Sequence, residues 1–160
     1  MMNIYEIIIS SIKIIIPIYI ANAVPVLFKG KRPIDFGRSF IDGKRLFGDG
    51  KTFEGFISGV FFGTVAGAIV YSTLYGFILS LGALLGDLFG AFIKRRLGLP
   101  RGHPFPILDQ LDFVFGALLL FSLFHPIIFE QALFIILITP PIHIISNAIA
   151  YLFRLKPNPW

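Results

Sequence analysis

FEGFISGVFFGTVAGAIVYSTLYGFILSLGALLGDLFGAFI, residues Phe53 to Ile93, is the stretch that decides the fold. It is about twice the ~20 apolar residues that one bilayer crossing requires. Its only charges are Glu54 and Asp87. Such a run must fold back once, and Ser72 to Gly76 is the weak point where it can turn. Apolar runs on either side complete the pattern. The expected spans are 4–27, 53–71, 75–95, 108–124 and 129–153, joined on one side by loops 28–52 and 96–107. Barrel strands would alternate over ~10 residues, and no segment does. The expectation is an all-α integral membrane protein with five transmembrane helices in a single membrane domain over 1–160.

Composition agrees. Hydrophobic residues make up 56% of the 160 and charged residues 14%, against roughly 25% charged in a soluble domain. That excludes a water-soluble globule, and also a disordered tail, which needs high charge and low hydrophobicity. With no cysteine, a disulfide scaffold and a thiolate metal site are excluded. Thirteen of the 14 basic residues fall on alternate connections: Lys29 to Lys51 in the first, Lys94 to Arg101 in the third, and Arg154 and Lys156 in the tail. Positive charge marks the cytoplasmic side. The N-terminus is therefore expected outside, the C-terminus in the cytoplasm, and the protein multi-pass in the cell membrane. Ala21-Asn22-Ala23 has the look of a leader cleavage site, but no basic region precedes it and Glu6 does, so the segment reads as a retained span. Lys13, the one basic residue left over, reads as a side chain snorkelling outward.

Gly55, Gly59, Gly63 and Gly67 recur every four residues, as do Gly82, Gly86 and Gly90. Small residues at that spacing let backbones approach closely in lipid, so spans two and three should form a tight hairpin. Pro140-Pro141 is expected to break or kink the fifth span.

Three carboxylates stand where charge is costly. Asp87 lies in the third span, seven residues before Lys94; Asp109 and Asp112 open the fourth, on one helix face at i, i+3. Charge at the bilayer centre costs ~2.5–3.5 kcal/mol on insertion scales. Carboxylates placed there pair with cations, face a wet cavity or bind an ion. A divalent cation would relieve their mutual repulsion, and an all-oxygen donor set favours Mg2+ or Mn2+ over zinc. The competing arrangement is a set of salt bridges to Lys94, Arg95 and Arg96. The first loop interleaves cations, acids and glycines with Phe36, Phe40, Ile41 and Phe47, which reads as an ordered flap able to hold a polyphosphate. Attraction to anionic headgroups would explain its cations but not its acids and glycines. Glycine-rich nucleotide motifs and a Ser–His–Asp pattern are missing. His103, His125 and His143 read as structural, and nothing calls for a nucleic acid. A phosphate monoester, already ionised near its second pKa of about 6, would be a nucleophile needing no general base.

Gly86-Asp87-Leu-Phe-Gly90 through Lys94-Arg95-Arg96-Leu-Gly98, followed by Pro106-Ile-Leu-Asp109-Gln110-Leu111-Asp112-Phe113, resembles the signature of the CDP-archaeol synthase family, distant relatives of CDP-diacylglycerol synthase. So do Ala21-Asn22-Ala23-Val24-Pro25, Pro33-Ile34-Asp35-Phe36-Gly37, Asp42-Gly43-Lys44-Arg45 and Gly48-Asp49-Gly50-Lys51-Thr52. The resemblance implies a Mg2+-dependent transfer of cytidylyl from CTP to an unsaturated archaeal diether glycerol phosphate, 2,3-bis-O-geranylgeranyl-sn-glycerol 1-phosphate. The products would be CDP-archaeol and diphosphate. It further implies that Asp87, Asp109 and Asp112 hold metal and act with Lys94 in catalysis. Lys94, Arg95 and Arg96 would hold phosphates; Lys44, Arg45, Lys51 and Thr52 would close over the nucleotide, with Asn22 reaching it from the first span. The bacterial relatives carry His-Gly-Gly before their acidic pair, where this chain has Gly102-His103-Pro104. Two other readings compete. A CDP-alcohol phosphotransferase needs Asp-Gly-x-x-Ala-Arg, which Asp42-Gly43-Lys44-Arg45-Leu46-Phe47 does not continue. A small ion-coupled transporter could use Asp87 as a relay, but no inverted repeat is visible.

Overall fold

Five helices form in a computed structural model that describes residues 3–28, 30–156 and 158. They are α1 (Ile4–Ala23), α2 (Phe53–Val70), α3 (Thr73–Arg96), α4 (Leu108–Ser122) and α5 (Phe129–Leu152). Their ends follow from local chemistry. Asn3 and Glu6 cap α1 reciprocally, each side chain accepting the other's backbone N–H at 2.9 Å. Pro25 ends α1 in a short 3-10 turn, Val24–Val26. Thr52 caps α2 by accepting the Gly55 N–H at 3.2 Å. Gly98, at φ +74°, terminates α3: its N–H donates to the Arg95 carbonyl and that of Leu99 to the Lys94 carbonyl, the paired closure that needs a left-handed residue. That stop puts Lys94, Arg95 and Arg96 on the last turn, where cations face the negative end of the helix.

Four helices are long and apolar enough to cross a membrane: α1 with its 3-10 turn, α2, α3 and α5. The fourth expected span differs. α4 has 15 residues and rises ~22 Å, short of a ~30 Å hydrocarbon core. One face of it is buried at Leu111, Phe113, Val114, Ala117 and Phe121. The structure is all-helical, with no strand among the described residues, only isolated bridges Pro33–Thr52 and Ser39–Arg45 in the first loop.

The glycine stripes are used differently from the simple hairpin expectation. Gly59 and Gly63 of α2 lie against Ala21 of α1 and against Leu84 and Ser80 of α3, and Gly67 meets Gly76 where the hairpin turns. Gly82 and Gly86 of α3 instead face α4 at Gly116, Ala117 and Asp112. α3 is thus the central helix, tightly packed on both sides. Ile18, Leu79, Ala83, Val114, Phe121 and Ile135 fill the core. α5 runs through Pro140-Pro141 as one helix, so the expected break does not occur. It meets α1 by side-chain bonds, Tyr19 Oη to Thr139 Oγ1 at 2.9 Å and Gln131 Nε2 to Ser10 Oγ at 2.7 Å. Lys13 is exposed on α1. Lys29 lies outside the described residues.

Candidate active site at the α3–α4 junction

The first loop is built around one buried carboxylate. Asp35 accepts the Gly37 N–H two residues on, at 3.0 Å, an Asx turn. It also accepts the Phe47 and Gly48 N–H groups at 3.1 and 2.9 Å and the Arg45 guanidinium at 2.6 and 3.2 Å. Burial opposes its ionisation, but the Arg45 guanidinium and the three N–H groups outweigh burial and hold the carboxyl well below the usual carboxylate range. Arg45 also pairs with Asp49 at 2.8 Å. The loop is bolted to α3 by Arg96, which pairs with Asp42 at 3.0 Å, donates to the Lys44 and Arg45 carbonyls at 3.1 and 2.5 Å, and lies over the Phe40 and Phe92 rings. Lys44 Nζ returns a bond to the Arg96 carbonyl at 2.8 Å. An ordered flap is what results, with Phe36 against Phe53 and Phe40 against Phe92, although Phe36, Phe40 and Ile41 all keep exposed surface.

Beneath the flap the carboxylates of α3 and α4 come together. Lys51 Nζ is held by both oxygens of Asp87, at 2.6 and 2.5 Å. Lys94 Nζ is held by both oxygens of Asp109, at 2.9 Å each. Asp109 also accepts the Phe105 N–H at 2.9 Å, which fixes the segment entering α4, where Ile107 takes φ +70°. Asp112 accepts the Phe113 N–H at 2.6 Å, and its carboxylate lies directly over Gly90 of α3. Any side chain at Gly90 would occupy that place. The donors are all hard oxygens, the chemistry Mg2+ or Mn2+ prefers, and the ammonium groups of Lys51 and Lys94 lie against two of these carboxylates. No three carboxylates or imidazoles among the described residues stand at metal-binding separation, so the salt-bridge arrangement is realised, with Lys51 and Lys94 as the partners rather than Arg95 and Arg96.

A basic cavity of about 340 Å3 lies alongside, lined by Lys44, Arg45, Gly48, Asp49, Arg95, Gly98, Leu99 and Arg101. The cations facing it are Lys44, Arg45, Arg95 and Arg101, with Arg45 held by Asp35 and Asp49 and Lys44 by the Arg96 carbonyl. The sequence-derived set therefore divides. Asp87, Asp109, Asp112, Lys51 and Lys94 are brought together; Lys44 and Arg95 line the cavity next to them. Arg45 and Arg96 brace the flap, and Thr52 caps α2. Asn22 is half-buried on α1, and among the described residues no hydrogen bond joins it to the carboxylates. His103 is exposed, its ring against the Pro104 carbonyl. Sequence reasoning missed Asp35, whose Asp-x-Gly spacing was the available signal, and Arg101, counted only as a topology marker. It also missed a group on α5: His143, its ring 5.8 Å from that of Phe113, and Asn147, whose Oδ1 accepts from Lys156 Nζ at 2.8 Å.

The family model described as "CarS-like: CDP-archaeol synthase" matches residues 4–74 and 66–160. The chain belongs to the CDP-archaeol synthase family. A CDP-archaeol synthase of Pyrobaculum islandicum is 52% identical over 153 residues, covering 90% of this chain and 93% of that one. One of Methanococcus aeolicus is 41% identical over 99% of this chain and the whole of its own. A solved structure, of an intramembrane enzyme for archaeal membrane lipid biosynthesis, superposes with a TM-score of 0.82 at 40% identity, covering 91% of this chain and 94% of that chain. The protein is an enzyme, a CTP-dependent nucleotidyltransferase of archaeal lipid synthesis, and a multi-pass membrane protein. The phosphotransferase and transporter readings fall with that assignment.

Proposed function

We propose that this chain transfers cytidylyl from CTP to an unsaturated archaeal diether glycerol phosphate, with Mg2+, at the cytoplasmic face of the cell membrane. The carrying observation is the adjacency of two unlike sites: a carboxylate cluster at the α3–α4 junction and a basic cavity of Lys44, Arg95 and Arg101 beside it. The carboxylates supply hard-oxygen donors for a cation that would replace the lysines, and the cavity supplies cations for a polyphosphate. The topology proposed is five crossings in one membrane domain, 1–160, with α4 as a short crossing, the N-terminus outside and the C-terminus in the cytoplasm. The flap and the α3–α4 connection then share the cytoplasmic side, where a soluble nucleotide meets a lipid phosphate.

Asp87, Asp109 and Asp112 would hold the metal, which supplies charge neutralisation at the phosphates. The chain's own residues do the rest. Lys44, Arg95 and Arg101 bind the outer phosphates of CTP and accept the charge that builds on the departing diphosphate. An acceptor phosphate oxygen bonds to the α-phosphorus as the bond to the diphosphate breaks, and no proton need be removed first. Lys51 and Lys94 keep the carboxylates neutralised before substrates arrive, and can turn to phosphate oxygens afterwards. The flap excludes water through the Asp35 and Arg96 networks. Purified protein given Mg2+, each nucleoside triphosphate in turn and the diether phosphate should make CDP-lipid and diphosphate with CTP. Release of CMP, or no preference for CTP, would refute this reading.

A further inference from the structure

The cytidylyl-transfer reading assigns no residue to the phosphate of the lipid, and α5 supplies a candidate. Its final turns bring His143 against Phe113, the neighbour of Asp112, and bury Asn147 to 8% exposure. The chain then leaves α5 and doubles back, with the Leu155 and Lys156 N–H groups donating to the Ala150 carbonyl at 2.9 and 3.4 Å. This turn aims the Lys156 side chain inward, where Asn147 Oδ1 receives its ammonium at 2.8 Å. The group is half-buried, and the charges it feels are those of the site: Lys51, Asp109, Asp87 and Lys94. Burial first, then Lys51, pulls its pKa below the ordinary lysine range, with Asp109 and Asp87 opposing. A tail lysine with a merely solvated role would not be half-buried and held by a buried amide.

The element that carries it also matters. The basic cavity is made by the first loop and the α3–α4 connection. Lys156 and Asn147 belong to α5 and its tail. α5 packs on α1 and α4, and leaves Ile145, Ile149, Leu152 and Phe153 exposed, an apolar face suited to acyl or isoprenoid chains. Displacement at phosphorus needs the attacking and leaving oxygens roughly in line. If the diphosphate departs toward Lys44, Arg95 and Arg101, the attacking phosphate must enter from another wall of the site. α5 offers such a wall, with an apolar face beside it and a cation from outside the basic cavity at its end.

We propose that Lys156, held by Asn147, binds and positions the phosphate of the lipid acceptor. This rests on the cytidylyl-transfer reading, and the test separates the two. Wild type, Lys156→Met and Lys156→Arg are assayed in neutral-detergent micelles, so that the acceptor is the only lipid phosphate present. KM is measured separately for CTP and for the diether glycerol phosphate. Lys156→Met should raise the acceptor KM roughly ten- to a hundredfold, the worth of one hydrogen bond to a charged group. The CTP KM should stay within about twofold, and Lys156→Arg should recover most of the loss. Binding of CTP by isothermal calorimetry, equal in wild type and Lys156→Met, guards against misfolding. An unchanged acceptor KM, or a rise confined to CTP, overturns the role of Lys156. A wild-type protein that makes no CDP-lipid overturns the underlying reading instead.

Discussion

Alanine at Gly86 and at Gly90 should separate packing from chemistry at the α3–α4 junction. A Cβ at Gly86 would stand 3.0 Å from both the Asp112 carbonyl carbon and the Gly116 Cα, and closer to the Asp112 carbonyl oxygen. All three are backbone atoms, so no side chain can yield. The helices would have to part by about 1 Å to restore contact near 4 Å. Overpacking of that kind costs ~1–3 kcal/mol, or roughly 2–12 °C in thermal midpoint for a chain of this size. At Gly90 the added methyl meets a side chain, the Asp112 carboxylate, with Cγ at 2.8 Å and Cβ at 2.9 Å. That carboxylate can swing away, which relieves the contact with Cγ and removes it from the cluster, while the contact with Cβ needs only a small backbone shift. Gly86→Ala should therefore melt earlier, followed by circular dichroism at 222 nm in detergent. Gly90→Ala should lose less of its midpoint than Gly86→Ala yet lose at least about tenfold in CDP-lipid formation. A Gly86→Ala protein as stable as wild type would refute the close approach of α3 and α4. A fully active Gly90→Ala would remove Asp112 from the site.

Two further outcomes follow from the flap. Asp35 has a depressed carboxyl pKa, so its contribution is present above the unfolded value of about 3.9 and declines as pH falls below it. Asp35→Asn should lower stability by about 2 kcal/mol at pH 7, and the gap to wild type in thermal midpoint should narrow steadily toward pH 3; a gap constant with pH would contradict the assignment. Thr52→Ala should cost about 1 kcal/mol through loss of the α2 cap, with the KM for CTP changed less than about threefold; a large rise in that KM with an unchanged midpoint would return Thr52 to the nucleotide.

The helices were legible because periodic apolar runs, Gly98 and the Asn3 and Thr52 caps act locally. The expected boundaries 53–71 and 75–95 fall within two residues of α2 and α3. α4 was overestimated because Leu123 and Phe124 are apolar, while the helix stops at Ser122. The acids were legible as costly charges in apolar runs. Their partners were not. Lys51 and Asp87 are 36 residues apart, and only the fold joins them. Arg95 and Arg96 are adjacent in sequence, but successive helical residues point about 100° apart, so one lines the cavity and the other braces the flap. Whether Gly82 and Gly86 would serve α2 or α4 likewise depends on which neighbour lies across their face. Lys156 reaches the site through a reversal after α5 that no spacing in the sequence announces.

The central claim is that carboxylates from α3 and α4 act together on a metal and the phosphates. It is tested most directly by measuring Mg2+-dependent CDP-lipid formation from radiolabelled CTP in wild type, Asp109→Asn and Asp112→Asn. The account predicts activity in each variant down by at least about a hundredfold, with folding retained by circular dichroism. Full activity in both variants at the same Mg2+ concentration would contradict it.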